Sequence, residues 1–361
     1  MNLTWLEISK KALLNNILQI KKQLPKKTKF MAVVKANAYG HGLLTVVEAI
    51  KNKVDYLAVF DFDDAILLRK KGVKCPILVL GRVFEEQVDL AIKYDIEVSV
   101  TTFDILKIQK KLKVHISMDS GLGRDGFPAD DLKKVLQLIK NSKQKIVGLY
   151  SHFSAADEDG AKDFTQKQIA ELLRWKKEFE ALGLNFITHQ CASAGALSSQ
   201  VAEKFDLVRV GISLYGLWPS IEVKKREEKK IKLQPALSWK AQISEVKFLP
   251  KGHAISYNRT HILQHDAKLA LVPTGYFDGI SRVASDKAFA IVNGKKVPQI
   301  GRVTMNLIVL DVTDVKDVKA GDVATIIGDG ISADDWGAWS ATSCYEVVTR
   351  INSAIARKII K

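Results

Sequence analysis

FMAVVKANAYGHG, residues 30–42, ends an apolar run on a lysine and follows it at once with a loop of small residues. A short run of that composition reads as a buried strand. An ordinary lysine at a strand end packs its stem and sends its ammonium group to water. What Lys35 does therefore depends on what the rest of the chain places around that strand end.

Similar runs recur at intervals of roughly 20 to 35 residues, each followed by a helical pattern. The strands expected are 30–34, 55–60, 77–80, 96–100, 114–118, 146–150, 186–190 and 206–210. Amphipathic segments such as ADDLKKVLQLIKN and QKQIAELLRWKKEFEALG lie between them. Another, KKALLNNILQIKKQL, precedes the first strand. Eight strand–helix units in about 200 residues predict a closed parallel barrel rather than an open sheet. After Gly216 the texture changes. A lysine-rich connection, 222–233, leads into alternating runs such as ALSWKAQISEVKFL and NLIVLDV, and Asn293-Gly294 is a hairpin signal. The expected fold class is α/β: a (β/α)8 TIM-type barrel over 1–233, then a mainly antiparallel β domain over 234–361.

In such barrels the chemistry sits at the carboxyl ends of the strands. Lys35, the segment Asp119 to Arg124, His152, Ser193 and Gly211-Ile212 all follow strand candidates there. Loops after the last two strands commonly hold a phosphate through closely approaching backbone amides. A lysine facing such a site suggests a Schiff-base lysine holding pyridoxal phosphate.

The bulk properties narrow the alternatives. A length of 361 residues with 47% hydrophobic and 26% charged content suits two domains, or a barrel with an appendage. The net charge of +15 is largely lysine in helix-like stretches without arginine–aromatic interleaving, so no nucleic-acid partner is expected. No run approaches the roughly 18 apolar residues of a membrane span. The start, MNLTWLEISKKALL, carries charge too early for a secretory signal. Cys75, Cys191 and Cys344 are far apart and make no CxxC, which suggests a reducing cytoplasm and no metal site.

VVKANAYGHG resembles the cofactor-lysine motif of the alanine racemase family. The likeness continues in order through GLGRDGF, GLYSHFSAADE, RVGISLYG, ISYNRTH, GYFDG, GRVTMN and CYEVVTRI, and covers essentially the whole chain. It implies a pyridoxal-phosphate isomerase that interconverts L- and D-alanine for peptidoglycan, acting as a cytoplasmic homodimer with shared sites. The family also places its extreme N-terminal strand in the β domain, an option open to TWLEIS.

Residue by residue, the resemblance makes Lys35 the cofactor-bearing lysine and one proton-transfer base, and Tyr257 the base on the opposite face. Racemisation needs two such groups, because the proton leaves one face of a planar carbon and returns on the other. A tyrosinate is unfavourable at neutral pH, and the family sets a histidine, here His152, beside that tyrosine. Tyr39, Ser193, Gly211, Ile212 and Tyr345 match phosphate contacts. Arg209 matches the residue facing the pyridine nitrogen, with His189 as its partner. A guanidinium there can only donate, so it keeps that nitrogen unprotonated, where a carboxylate would do the reverse. Arg124 and Met305 match substrate-carboxylate contacts, with Met305 and Tyr257 supplied by the partner chain. Asp157, Tyr276, Arg282 and Arg302 match a polar entrance corridor.

Three departures stand out. Ser117 occupies the position of a lysine that the family commonly carries as a carbamate. Ala192 replaces an asparagine, and Thr304 and Asn306 replace Cys and Asp. Rival readings are a racemase of serine or another amino acid, a fold-related decarboxylase, and a non-enzymatic pyridoxal-phosphate homeostasis protein. Decarboxylases typically use a carboxylate where Arg209 stands, and the homeostasis proteins lack a β domain.

Overall fold

The first strand, β1 (Thr4–Ser9), belongs to a different sheet from the eight strands that follow it. Those eight are β2 (Lys29–Val33), β3 (Tyr56–Val59), β4 (Ile77–Val79), β5 (Glu97–Val100), β6 (Lys113–Ser117), β7 (Lys145–Tyr150), β8 (Ile187–His189) and β9 (Leu207–Val210). The computed structural model describes residues 3–361; the first two residues of the barrel expected over 1–233 lie outside the described residues. The chain divides into two compact units. One comprises Ala12–Ala36 and Val47–Gln234; the other comprises the residues up to Lys11, Asn37–Val46 and Pro235–Lys361.

In the first unit every sheet neighbour is parallel, in the order β8-β7-β6-β5-β4-β3-β2-β9. The seam between β8 and β9 is bridged by backbone bonds from Asp206 to Thr188 (3.0 Å) and from Arg209 to Cys191 (2.9 Å), which nearly close the barrel. Strands buried on both faces read as continuous apolar runs, and that is why all eight are legible in the sequence. The helices bury one stripe each: Leu132, Val135 and Ile139 from Leu132–Asn141, and Ile169, Leu172, Trp175 and Phe179 from Lys162–Ala181. The apolar pattern breaks inside the barrel. Glu97, Ser99, His115, Ser117, His189 and Arg209 all lie on strands and are buried.

The second unit holds a nine-stranded sheet in the order β11-β14-β17-β16-β15-β18-β10-β1-β19. Its members after β1 are β10 (Leu237–Gln242), β11 (Glu245–Leu249), β14 (Ala267–Val272), β15 (Phe289–Val292), β16 (Lys295–Ile300), β17 (Ile308–Asp311), β18 (Val323–Ile327) and β19 (Ala356–Ile360). A separate pair, β12 (Ala254–Ile255) and β13 (His261–Ile262), precedes β14. All neighbours are antiparallel except β1 and β19. β1, the TWLEIS strand, lies between β10 and β19 and so joins the antiparallel-rich sheet. The β15–β16 hairpin turns at Asn293-Gly294, where φ is 48° and 76°, the left-handed pair a tight hairpin requires.

Candidate functional site

Lys35 opens a turn that the sequence does not announce. Ala36, Asn37, Ala38 and Tyr39 all have φ between 52° and 54°, one turn of left-handed helix. For L-residues that costs roughly 1–2 kcal/mol each, so local bonds must offset it. The Asn37 side chain accepts from the Leu43 amide (2.8 Å), and its carbonyl accepts from Gly42 (2.9 Å). His41 donates to the Tyr39 carbonyl (2.8 Å). Arg357 donates to the Gly40 carbonyl from Nε (3.1 Å) and Nη2 (3.0 Å). Gly40 itself, at φ 79°, packs so closely on the helix Cys344–Thr349 that a Cβ would lie 1.9 Å from the Val348 carbonyl oxygen. Within the same unit the Tyr39 and Tyr345 rings approach to 6.4 Å between centroids. Burial pushes the Tyr39 phenol up to about 12.

In the barrel unit, burial holds the Lys35 ammonium below its ordinary range, helped by the positive charges of Arg124 and Arg209 and opposed by Asp125. A lysine with a lowered pKa has a larger free-amine fraction, which both nucleophilic attack and proton abstraction need. Arg209 is buried and makes five bonds from its terminal nitrogens. Nη1 donates to His189 Nδ1 (2.6 Å) and to the His189 carbonyl (3.0 Å). Nη2 donates to the carbonyls of Ser151 (2.8 Å) and Gln190 (3.2 Å) and to His152 Nδ1 (2.9 Å). Those bonds commit the four terminal N–H groups and leave Nε–H as the donor available to a ligand. Asp206, three residues before Arg209, accepts from the Thr188 amide and hydroxyl, each at 2.8 Å. His152 is held down to about 3, by burial first and then by the charges of Arg209, Arg124 and Lys35. It is therefore neutral and accepts the Arg209 bond.

Ser193 does not cap its own short helix. Its Oγ accepts from the amides of Gly211 (3.1 Å) and Ser213 (3.3 Å), joining the loops after β8 and β9. The Ser213 hydroxyl is buried with no partner among the described residues. Arg124 pairs through Nε with Asp125 Oδ1 at 2.8 Å, and its side chain is 60% exposed. Asp119 takes another role, accepting from the amides of Gly121, Leu122 and Gly123 and so shaping the GLGRDGF loop. Ser117 is buried on β6, and its hydroxyl, with that of Ser99 and the Arg209 charge, opposes the burial-driven rise of the Tyr150 phenol.

The barrel donor set suits pyridoxal phosphate. Three cations, Lys35, Arg124 and Arg209, lie near one carboxylate, Asp125, an excess of positive charge that suits an anionic group. The Ser213 hydroxyl, buried with no partner among the described residues, is a polar group that a phosphate would satisfy.

In the β unit, a cavity of ≈ 610 Å³ is lined by Tyr257, Tyr276, Arg282, Trp239, Glu346 and Arg350 among others. Tyr257 is 65% exposed and Met305 53%. Ser256, Asn258 and Arg259 around Tyr257 have φ of 62°, 61° and 53°. Arg302 offers its carbonyl to Ser256 Oγ (2.8 Å), while its Nε is buried with no partner among the described residues. Thr304, one of the departures, closes its own turn by bonding both the carbonyl and the amide of Leu307. In the barrel unit, the Asp157 carbonyl accepts from Ser220 Oγ (3.2 Å).

Sequence reasoning passed over Glu97 and His115. His115 Nδ1 lies 2.9 Å from His189 Nε2, and His115 Nε2 lies 2.7 Å from Glu97 Oε2. The signal was present as ionisable residues inside the otherwise apolar runs IEVSV and VHISM, where burial demands partners.

Comparison with known proteins accounts for both units. Residues 8–219 match the family model for the alanine racemase N-terminal domain, and residues 236–359 that for the C-terminal domain. The alanine racemase of Methylacidiphilum infernorum is 34% identical over 368 residues, covering 98% of this chain and 92% of the relative. That of Desulforamulus reducens is 35% identical over 368 residues, covering 99% and 98%. Among solved structures, alanine racemase from Clostridium difficile 630 superposes with a TM-score of 0.93 at 31% identity, covering 100% of this chain and 96% of that one. The Bacillus anthracis enzyme with bound L-Ala-P gives 0.90 at 33% identity, covering 100% and 96%.

Proposed function

The chain belongs to the alanine racemase family, and on that premise we propose that it interconverts L- and D-alanine by two-base proton transfer on pyridoxal phosphate. It is an isomerase, and supply of D-alanine for peptidoglycan is the family's usual role. We further propose that it works as a cytoplasmic homodimer, with the barrel as the cofactor module and residues 234–361 supplying Tyr257 and Met305 to the partner's site. No described helix is long and apolar enough to cross a membrane.

Pyridoxal phosphate, when bound, supplies an aldehyde carbon for covalent attachment of an amine and a ring that takes up the electron pair left at Cα. Lys35 tethers it and moves the proton at Cα on one face, for which its lowered pKa suits it. The partner's Tyr257 moves the proton on the other face, and the exposure of Tyr257 and Met305 supports a contribution across chains. Ser193, Ser213, Tyr39, Tyr345 and the amides of Gly211 and Ile212 hold the phosphate. Arg124 holds the substrate carboxylate with the partner's Met305 amide. Asp157, Tyr276, Arg282 and Arg302 form the polar approach.

The observation that carries racemase over decarboxylase is Arg209. Its bonds go to neutral acceptors, so the cation remains and Nε–H is the donor left over for a ligand. Such a donor leaves a pyridine nitrogen unprotonated and restrains electron withdrawal, which favours return of the proton to Cα. The test is solvent deuterium incorporation at Cα of alanine with optical rotation, while carbon dioxide release is monitored. Deuterated, racemised alanine without carbon dioxide is expected. Carbon dioxide release, or no exchange by the cofactor-loaded protein, would overturn it. Running serine and larger amino acids in parallel reads the substrate preference.

A further inference from the structure

We propose that Glu97 and His115 are positioning residues for Arg209, acting through His189 as a one-directional chain of hydrogen-bond donors that ends on the Glu97 carboxylate. The proposal rests on the reading that Arg209 faces the cofactor's pyridine nitrogen. The directions follow from chemistry alone. Arg209 can only donate, so His189 Nδ1, 2.6 Å away, must accept and carries no proton. Neutral His189 then holds its proton on Nε2 and donates to His115 Nδ1 at 2.9 Å. His115 in turn holds its proton on Nε2 and donates to Glu97 Oε2 at 2.7 Å. All four side chains are buried. No other assignment of protons satisfies every contact.

The barrel is built around this chain. The β6–β7 register shifts between Val114 and His115, and a Cβ on the facing Gly148 would lie 1.9 Å from His115 Nδ1. Tyr150 stacks on His189 at 4.8 Å with planes 4° apart, and Tyr56 meets His115 edge-on at 6.5 Å. The consequence concerns charge. A carboxylate bonded directly to Arg209 would neutralise the guanidinium and orient it toward itself. Here the counter-charge stands two neutral imidazoles away, so the guanidinium is fixed in place with its charge undiminished toward the ligand. Glu97 also locks the tautomer that lets His189 accept.

The experiment uses histidine-15N-labelled holoenzyme and long-range nitrogen–proton correlation spectra. His115 and His189 are expected as neutral Nε2–H tautomers at pH 7. A proton on His189 Nδ1, or an imidazolium at either residue, overturns the proposal. Glu97→Gln keeps an acceptor and removes the charge; it should retain both tautomers, shift the cofactor's absorption band and lower kcat by about tenfold with KM unchanged. Glu97→Leu removes the acceptor and should in addition abolish the single His115 tautomer. If Glu97→Leu does not fold, Glu97→Gln decides: an unmoved absorption band and unchanged kcat would leave Glu97 merely structural. The tautomers are read independently of turnover. Wild-type protein with the expected tautomers but no racemisation of alanine would sink the functional reading and leave the wiring intact.

Discussion

Arg209 and Tyr257 are built in opposite ways. Arg209 sits on β9, one residue before that strand ends, buried, with its terminal N–H groups saturated by neutral acceptors and a glutamate behind them. Tyr257 sits in a loop of left-handed residues, 65% exposed. A group that must keep one protonation state is best fixed by a closed network within its own chain. A group whose surroundings are incomplete within its own chain is suited to being completed by another.

The largest effects test that division directly. Lys35→Ala and Tyr257→Phe should each lose about 10²- to 10⁴-fold in turnover, the usual range for a proton-transfer group. Borohydride should fix the cofactor to Lys35 in the wild type and not in Lys35→Ala; a peptide map placing the adduct on another lysine would defeat the assignment. Mixed and reassembled, the two inactive variants should regain partial activity, because one site of each mixed dimer has both bases. Confirmed heterodimers that stay inactive would mean Tyr257 serves its own chain.

Reversing Arg209 is the next largest change. Arg209→Glu should allow the ring nitrogen to protonate, slow racemisation by about tenfold or more and raise transamination and carbon dioxide release. Unchanged partitioning would make Arg209 structural. The charge reversal also breaks its bonds to His189 and His152, so a thermal melt must accompany the kinetics.

A smaller effect follows from burial. His152 is held down to about 3 and His41 to about 4, from an ordinary value of 6.5. Between those values and 6.5 the unfolded chain binds protons that the folded chain refuses. Stability is therefore full above about 6.5 and falls as pH drops toward 4 and then 3. The midpoint in denaturant should decline over that window. A flat profile would mean that neither imidazole is kept neutral by the fold.

The smallest expected effect is none. Ser117 cannot carry a carbamate, and Arg124 already pairs with Asp125. Removing carbon dioxide should leave activity unchanged, whereas a loss that bicarbonate reverses would point to a carbamate elsewhere in the site.

By itself the sequence determined the barrel, because strands buried on both faces repeat apolar runs and the helices between them repeat at helical spacing. It also showed the Asn293-Gly294 hairpin and, through its motifs, the family. Tertiary structure alone decided three other matters. Four consecutive left-handed residues after Lys35 carry no composition signal, because they are held by the bonds of Asn37 to Gly42 and Leu43 and by the distant Arg357 on the Gly40 carbonyl, rather than by their own propensity. The choice of Asp125 over Asp119 as the partner of Arg124 depended on which carboxylate the loop amides had already occupied. Glu97 and His115 looked like blemishes in apolar strands. Only the pairing of β5 with β6, β6 with β7 and β7 with β8, and the β8–β9 seam, brought them into line with His189 and Arg209, since a buried hydrogen bond is specified by how several strands are laid side by side and not by any strand alone.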